Sequence, residues 1–419
     1  MAGNLVARVT ALAALGAATW VVARVGGPAQ VGDYALLRML TSLVGILLSA
    51  GLPAAVSYFL RGPRSSDPRL RATILAIALA AGISGALLWY AAVPILGRVL
   101  FRDLAPGILA FASLQVITRI LVATSKGCAQ GTLDFRGSNF IIVMEELMFL
   151  PAFGLLWAVG LRGSEAMVGG LFLGDVVTAS SSWSWLIRKG FLSPLQRPSA
   201  ALAREIYAFG MRGQVGAMMS LLNLRLDFAV LGALAGPVPL GSYAIASKYA
   251  ELLRLPPLAI SWVLYPRYAM DDPFKAGRKA RSLLPRAGLM IALASLPLGL
   301  GAGYLLPLVY GEAFRAAVVP AQILIVGLSV QGVAGVLTAY FYGTGRPGLN
   351  SVAMGGGLLL TLALDLLLIP RFGATGAAVA STCAYLTSAV ALLVAFWMVT
   401  RKSASRAPLS RAVLEAPTR

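Results

Sequence analysis

Apolar residues run along this chain in long stretches, separated by short punctuations of glycine, proline and charge. A helix needs about 20 such residues to cross the hydrocarbon layer of a bilayer. Read this way, the pattern predicts twelve spans: 4–25, 33–60, 70–93, 104–127, 138–159, 165–187, 206–234, 239–265, 284–306, 316–342, 349–369 and 374–399. Two internal connections are longer than the rest. One, 188–205, joins the two halves. The other, 266–283 (PRYAMDDPFKAGRKARSL), reads as a short amphipathic helix at the lipid surface.

The punctuation itself repeats. Residues 22–36, VARVGGPAQVGDYAL, align without a gap on residues 231–245, LGALAGPVPLGSYAI, half a chain length later. Gly27/Gly236, Pro28/Pro237, Gly32/Gly241, Tyr34/Tyr243 and Ala35/Ala244 are identical. In both copies an apolar helix ends, Gly-Pro makes a turn the helix cannot cross, and Gly-x-Tyr opens the next helix. Gly131-Thr132 and Asn139 are echoed by Gly343-Thr344 and Asn350 at nearly the same separation. The chain therefore reads as a duplicated unit of about 210 residues, a known way to build transporters. Six spans return the chain to its starting side, so the two halves share one orientation. The fold class expected is an all-α membrane protein with twelve transmembrane helices in two parallel-repeat six-helix lobes around a central cavity. Its parts are an N-terminal lobe at 1–190, a cytoplasmic linker at 191–205, a second lobe at 206–400 and a basic, disordered cytoplasmic tail at 401–419.

Composition agrees about the solvent. Hydrophobic residues make up 58 % of the chain and charged residues 12 %, and mean hydropathy is +0.80, more apolar surface than a soluble fold can hide. Arg8 followed by an uncharged apolar run without a small-residue cleavage site reads as a first membrane helix, not a cleaved signal. Cys128 and Cys383 read as packing residues. There is no histidine and no metal-ligand spacing, so no metal site is expected.

The net charge of +19 suggests nucleic acid until its distribution is considered. One set of alternate connections collects most of the 35 lysines and arginines, while the other has only Arg24, Arg98, Arg102, Arg162, Arg315 and Arg371. By the positive-inside rule both termini are cytoplasmic, the protein sits in the inner (cytoplasmic) membrane, and no nucleic-acid partner is needed.

Six cations remain inside the spans: Arg38, Arg119, Arg212, Arg225, Lys248 and Arg254. Each costs about 2.5–3.5 kcal/mol at a helix centre, so each should face water or a partner. Helical spacing aligns Arg38 with Ser42, Gly45 and Ser49; Gln115 with Arg119 and Lys126; Arg212 with Ser220, Asn223 and Asp227; and Lys248 with Glu251 and Arg254, just before Pro256-Pro257. Arg225 points elsewhere. The in-span acids are Glu145, Glu146, Asp175, Asp227, Glu251 and Asp365. The bland alternative is that Glu145 and Glu146 neutralise Arg119, that Glu251 pairs with Lys248 and Arg254, and that Arg38 and Arg212 snorkel. Asp175 and Asp365 have no cation on their own spans, which leaves an excess positive field on spans 2, 4, 7 and 8. Such a cavity prefers an anion, most plainly a phosphate-bearing one. Arg38, Arg119, Arg212, Lys248 and Arg254 are the substrate-binding candidates. Asp227, Glu251 and Glu145 are the coupling or ion-pair candidates, with Asp227 singled out for proton or sodium sensing.

The run DFAVLGALAGPVPLGSYAIASKYAELLRLPPLAISWVLYPRYA, with GEAFRAAVVPAQILIVG, YGTGRPGLN and IPRFGATGAAVASTCAY, resembles the oligosaccharide (O-antigen type) flippases of the multidrug/oligosaccharidyl-lipid/polysaccharide (MOP) superfamily. The resemblance covers essentially the whole chain. It implies an export flippase that moves an undecaprenyl-pyrophosphate-linked oligosaccharide to the outer leaflet by alternating access, with no cofactor beyond a coupling proton or sodium. It also implies membrane lipids, a polysaccharide polymerase and chain-length machinery as partners. In the related lipid II flippases a basic residue in helix 8 lines the cavity, and Lys248 matches its local pattern; Arg38 is not at the equivalent turn of helix 2. Those relatives carry two further C-terminal helices.

Two other classes compete. A multidrug antiporter of the same superfamily calls for an acid in span 1, where 4–23 has only Arg8. A membrane enzyme acting on the same lipid-linked sugar calls for a sizeable outer loop with catalytic carboxylates, and the outer connections are all short.

Overall fold

Gly27 and Gly236 adopt nearly the same backbone, φ 66°, ψ −167° and φ 85°, ψ −176°, a region open to glycine and strained for other residues. Each is followed by the proline that opens the next helix. The computed structural model describes the whole chain except residues 1, 195, 255–256, 258–263, 265–267, 269 and 415–419. It describes no side chains at 2, 212–217, 219–221, 223–224, 273 and 402–414. All its regular structure among these residues is helical. In order the helices are α1 (Ala2–Ser49), α2 (Leu52–Phe59), α3 (Leu70–Val99), α4 (Pro106–Phe111), α5 (Ser113–Gly131), α6 (Phe135–Leu147), α7 (Phe149–Ala158), α8 (Gly163–Arg188), α9 (Ala200–Ala235), α10 (Pro237–Ala250), α11 (Pro273–Tyr310), α12 (Val318–Gly343) and α13 (Pro347–Leu414).

Seven described helices are long and apolar enough to cross a membrane. Two are too long for one crossing: Gly3–Ser49, with 47 residues, and Pro347–Arg401, with 55. Each is interrupted by a glycine outside helical geometry, Gly27 and Gly373, where the apolar pattern places a boundary between spans. The fold is an all-α, multi-pass membrane fold.

The chain packs as two compact units, 1–241 and 242–419. In the first, α1 packs on α5 and α6, α3 on α5, and α8 on α5 and α7. The two copies of the Gly-Pro motif also meet in this unit. A Cβ on Gly32 would run into the carbonyl oxygen of Pro237, and a Cβ on Gly241 into that of Pro28. Equivalent residues thus make equivalent contacts, each copy closing on the other. In the second unit, α12 packs between α11 and α13. Its core gathers Leu264, Tyr268, Tyr340, Phe341 and Phe396, with Tyr340 edge-on to Phe396 at 5.1 Å between centroids.

The second echo noted in the sequence is a matched pair of helix ends. Thr132 and Thr344 follow α5 and α12, and their hydroxyls donate to the carbonyls of Cys128 and Tyr340 at 3.0 and 2.8 Å. Three residues past each helix the amide of Asp134 reaches back to Ala129 and that of Arg346 to Phe341, both at 2.8 Å. Between them sits a left-handed residue, Gly345 (φ 72°) in one copy but Leu133 (φ 59°) in the other. A left-handed leucine costs about 1–2 kcal/mol, and Leu133 is largely exposed, with little packing in return. Leu133→Gly should therefore stabilise the protein by about 1 kcal/mol; a fall in the unfolding midpoint would mean that contacts of the leucine outweigh the backbone strain.

Asp134 caps α6 through the amide of Gly137 at 3.0 Å and also accepts from Trp185 and Lys189, each at 2.7 Å, tying the α5–α6 corner to the end of α8. Burial pushes this carboxyl up, but the bonds from Lys189, Gly137 and Trp185 outweigh it and hold it below the usual carboxylate range.

Two expectations change. The segment expected as a surface helix at 266–283 falls partly outside the described residues, and from Pro273 it forms the first turns of α11. Asp272 caps it by accepting from the amides of Phe274 and Lys275. Span 8 leaves α-helical geometry at Glu251, before the proline pair, as a tighter turn over Glu251–Arg254. The backbone of the tail is helical to Leu414.

Candidate functional site

Among the described residues, three ion pairs lie within the membrane-spanning part of the first unit. Arg38, on α1, donates to Glu146 of α6 at 2.6 Å, and its other terminal nitrogen donates to the Tyr34 hydroxyl at 3.1 Å. Tyr34 is fully buried against Phe149, one turn before Arg38. Lys126, on α5, donates to Glu145 of α6 at 2.7 Å. Arg119, also on α5, meets Asp175 of α8 at 2.8 Å, an ion contact not aligned as a good hydrogen bond. Both ends of the Gln115 amide, one turn before Arg119, are buried without a hydrogen-bond partner among the described residues.

The pairs differ in access. The side chains of Arg38 and Glu146 keep 15 % and 19 % of their surface, and those of Lys126 and Glu145 keep 29 % and 21 %; Arg119 and Asp175 keep only 9 % and 5 %. Two pairs are partly accessible and the third is packed away.

This arrangement corrects the charge pattern expected above. Arg119 pairs directly with Asp175 and not with Glu145 or Glu146. Neighbours on a helix point about 100° apart, so the two acids face different helices, one toward Lys126 and the other toward Arg38. Asp175 lacks a cation on its own helix but takes Arg119 from the adjacent one. The excess positive field expected on spans 2 and 4 is offset pair by pair. Lys126, first counted with the connections, belongs to the set.

Around the second motif copy, Lys248 is half-buried near the end of α10, and Ser247 donates to Glu251 at 3.2 Å. Arg254 is exposed. A change from α to tighter helical geometry between Lys248 and Arg254 is the kind of break that marks hinges. On α9, Asp227 is buried and accepts from the amide of Phe228 at 2.9 Å. The Arg225 guanidinium lies over the Phe228 ring. The side chain of Arg212 lies outside the described residues.

The family model for polysaccharide biosynthesis proteins matches residues 21–319, most of the chain and all of the helices that carry these pairs. The chain belongs to the polysaccharide biosynthesis protein family. The chain is also 22 % identical over 377 residues to a probable low-salt glycan biosynthesis flippase of Haloferax volcanii, Agl15, covering 88 % of this chain and 76 % of that one. Two solved structures share the fold. An inward-facing multidrug resistance MATE transporter of the MOP superfamily matches with a TM-score of 0.77 at 15 % identity, over 94 % of this chain and 95 % of that one. The lipid II flippase MurJ, in an inward closed conformation, matches with a TM-score of 0.70 at 14 % identity, over 100 % and 92 %. The resemblance is borne out in family and in fold, and this family member is a multi-pass membrane protein whose matches are transporters and flippases, not enzymes.

Proposed function

We propose that the protein is a flippase that carries an undecaprenyl-pyrophosphate-linked oligosaccharide from the cytoplasmic to the outer leaflet by alternating access. The observation that carries this reading is the pair of partly open ion pairs on α1, α5 and α6. An ion pair facing lipid is costly, so its open side belongs to a wet cavity. Family membership and the glycan flippase relative support a lipid-linked saccharide as the cargo. Arg38, Lys126, Lys248 and Arg254, with Arg212, are the cations for the diphosphate headgroup; Arg119 supports them from behind through Asp175. Asp227 is the residue proposed to sense a coupling proton or sodium, and a polymerase and chain-length machinery are the partners downstream.

The twelve-span architecture goes with this reading. Dividing the two overlong helices at Gly27 and Gly373, and adding α8, α9 and the segment from Pro237, supports two six-helix lobes, 1–190 and 206–400, joined at 191–205. Both termini and the 401–419 tail are then cytoplasmic, in the inner membrane. Single cysteines at exposed Val238 and Lys279 should label from opposite sides, Lys279 from the cytoplasm; labelling of both from outside would sink the topology.

The functional test is complementation of surface polysaccharide, with expression measured alongside. Lys248→Ala should abolish export at normal protein levels, because a charge-assisted bond to phosphate is worth about 1.5–3 kcal/mol. Lys248→Arg should keep much of it. Rescue of Lys248→Ala by adding Glu251→Ala would reduce Lys248 to a counter-ion. Export of an organic cation, with no dependence on lipid-linked sugar, would favour the antiporter reading.

A further inference from the structure

We propose that Glu145 and Glu146 are exchangeable counter-ions, holding on Lys126 and Arg38 the anion seats that the diphosphate of the lipid headgroup takes when it binds. The inference rests on the headgroup reading above and names the groups that must move for it to work.

A carboxylate and a phosphate oxygen make the same kind of contact with a guanidinium or an ammonium. A site kept empty of both would leave a cation unpaired inside the membrane. The protein avoids this by lending each accessible cation an acid from α6. The geometry separates these two pairs from the third. Arg38–Glu146 and Lys126–Glu145 are short, at 2.6 and 2.7 Å, yet partly open, so an incoming anion can reach the cation. Arg119–Asp175 is closed. Arg38 is also built to outlast the exchange: the Tyr34 hydroxyl keeps its other nitrogen at 3.1 Å, with Tyr34 fixed by burial against Phe149. When Glu146 leaves, the guanidinium stays aimed.

The acids also sit where leaving has a consequence. They occupy the last turn of α6, which ends at Leu147 before α7 begins at Phe149. Pro151 explains the break, since it cannot donate to the carbonyl of Leu147. Being adjacent, the two acids fasten this end of α6 to α1 on one side and to α5 on the other. A diphosphate, with enough oxygens for both cations, would release both fastenings together. Binding and helix movement are then one event.

The test uses the purified full-length protein in nanodiscs, a short-chain isoprenyl diphosphate as the probe and the parent alcohol as control, with affinity read by calorimetry and stability by thermal unfolding. Glu146→Gln and Glu145→Gln remove the internal competitor with little change of shape. Each should tighten diphosphate binding about tenfold while slowing flipping in reconstituted vesicles. Arg38→Ala should weaken binding, and Asp175→Asn should lower stability without tightening it. If the wild type binds the diphosphate and neither glutamine variant binds it more tightly, the exchange is wrong although the headgroup reading stands. The two variants test separate pairs, so failure of one to accumulate leaves the other decisive. If neither wild type nor variants prefer the diphosphate to the alcohol, the headgroup reading falls and the exchange with it.

Discussion

Arg119→Ala should strip about 3–5 kcal/mol from the protein and prevent its accumulation, whatever Arg119 does for substrate. That range is the usual result of removing one partner of a buried ion pair, because the other is left charged in a dry interior. Asp175 is that other here, buried on α8 with its nearest cation at 2.8 Å. Asp175→Ala should do similar damage. Replacing both with apolar residues of similar volume, Arg119→Met with Asp175→Leu, should recover most of the stability, since the pair's attraction roughly offsets its desolvation. Unfolding of the purified variants, with membrane protein levels, gives the measurement. If the double replacement were as unstable as the singles, the site would need polarity for its own sake, and the unsatisfied Gln115 amide beside it would be the first place to look.

Gly32→Val and Gly241→Val should have the other large effect, on conformation more than on folding. At each position a side chain meets a backbone oxygen of the opposite motif copy. Backbone cannot step aside as a flexible side chain can. Overpacking of this kind costs about 1–3 kcal/mol, enough to shift an equilibrium between closed and separated crossings about tenfold or more. With Cys128 and Cys383 removed, a cysteine at buried Val31 should be slow to react with a thiol reagent in the otherwise wild-type chain and fast once Gly32 is Val. Unchanged reactivity, with transport intact, would show that the crossing yields by other means.

The features that local chemistry determines were legible in the residues. Gly-Pro turns must break a helix, so Gly27 and Gly236 marked boundaries. The repeated Gly-Thr was visible as a repeat, but the matched helix ends and the strain at Leu133 appear only with the backbone in hand. Pairing was harder to read. Helical spacing says which residues share a face but not which helix that face meets, so Arg119 could be put on a stripe while its partner on α8 stayed hidden. The adjacent acids Glu145 and Glu146 held a usable signal: two neighbouring charges on one helix must serve two different neighbours. Lys126 was aligned with Arg119 but left off the binding set, because at the end of an apolar run it also counts as part of a loop.

The closing of each motif copy on the other has a further meaning. Gly32 touches Pro237 and Gly241 touches Pro28, so exchanging the copies leaves the contact unchanged. That is the signature of an isologous interface, the kind two identical subunits form about a two-fold axis. In a chain built by the duplication read from the sequence, the same surface would once have joined half-length polypeptides into a dimer, and fusion would have freed the halves to differ elsewhere, as at Leu133 and Gly345.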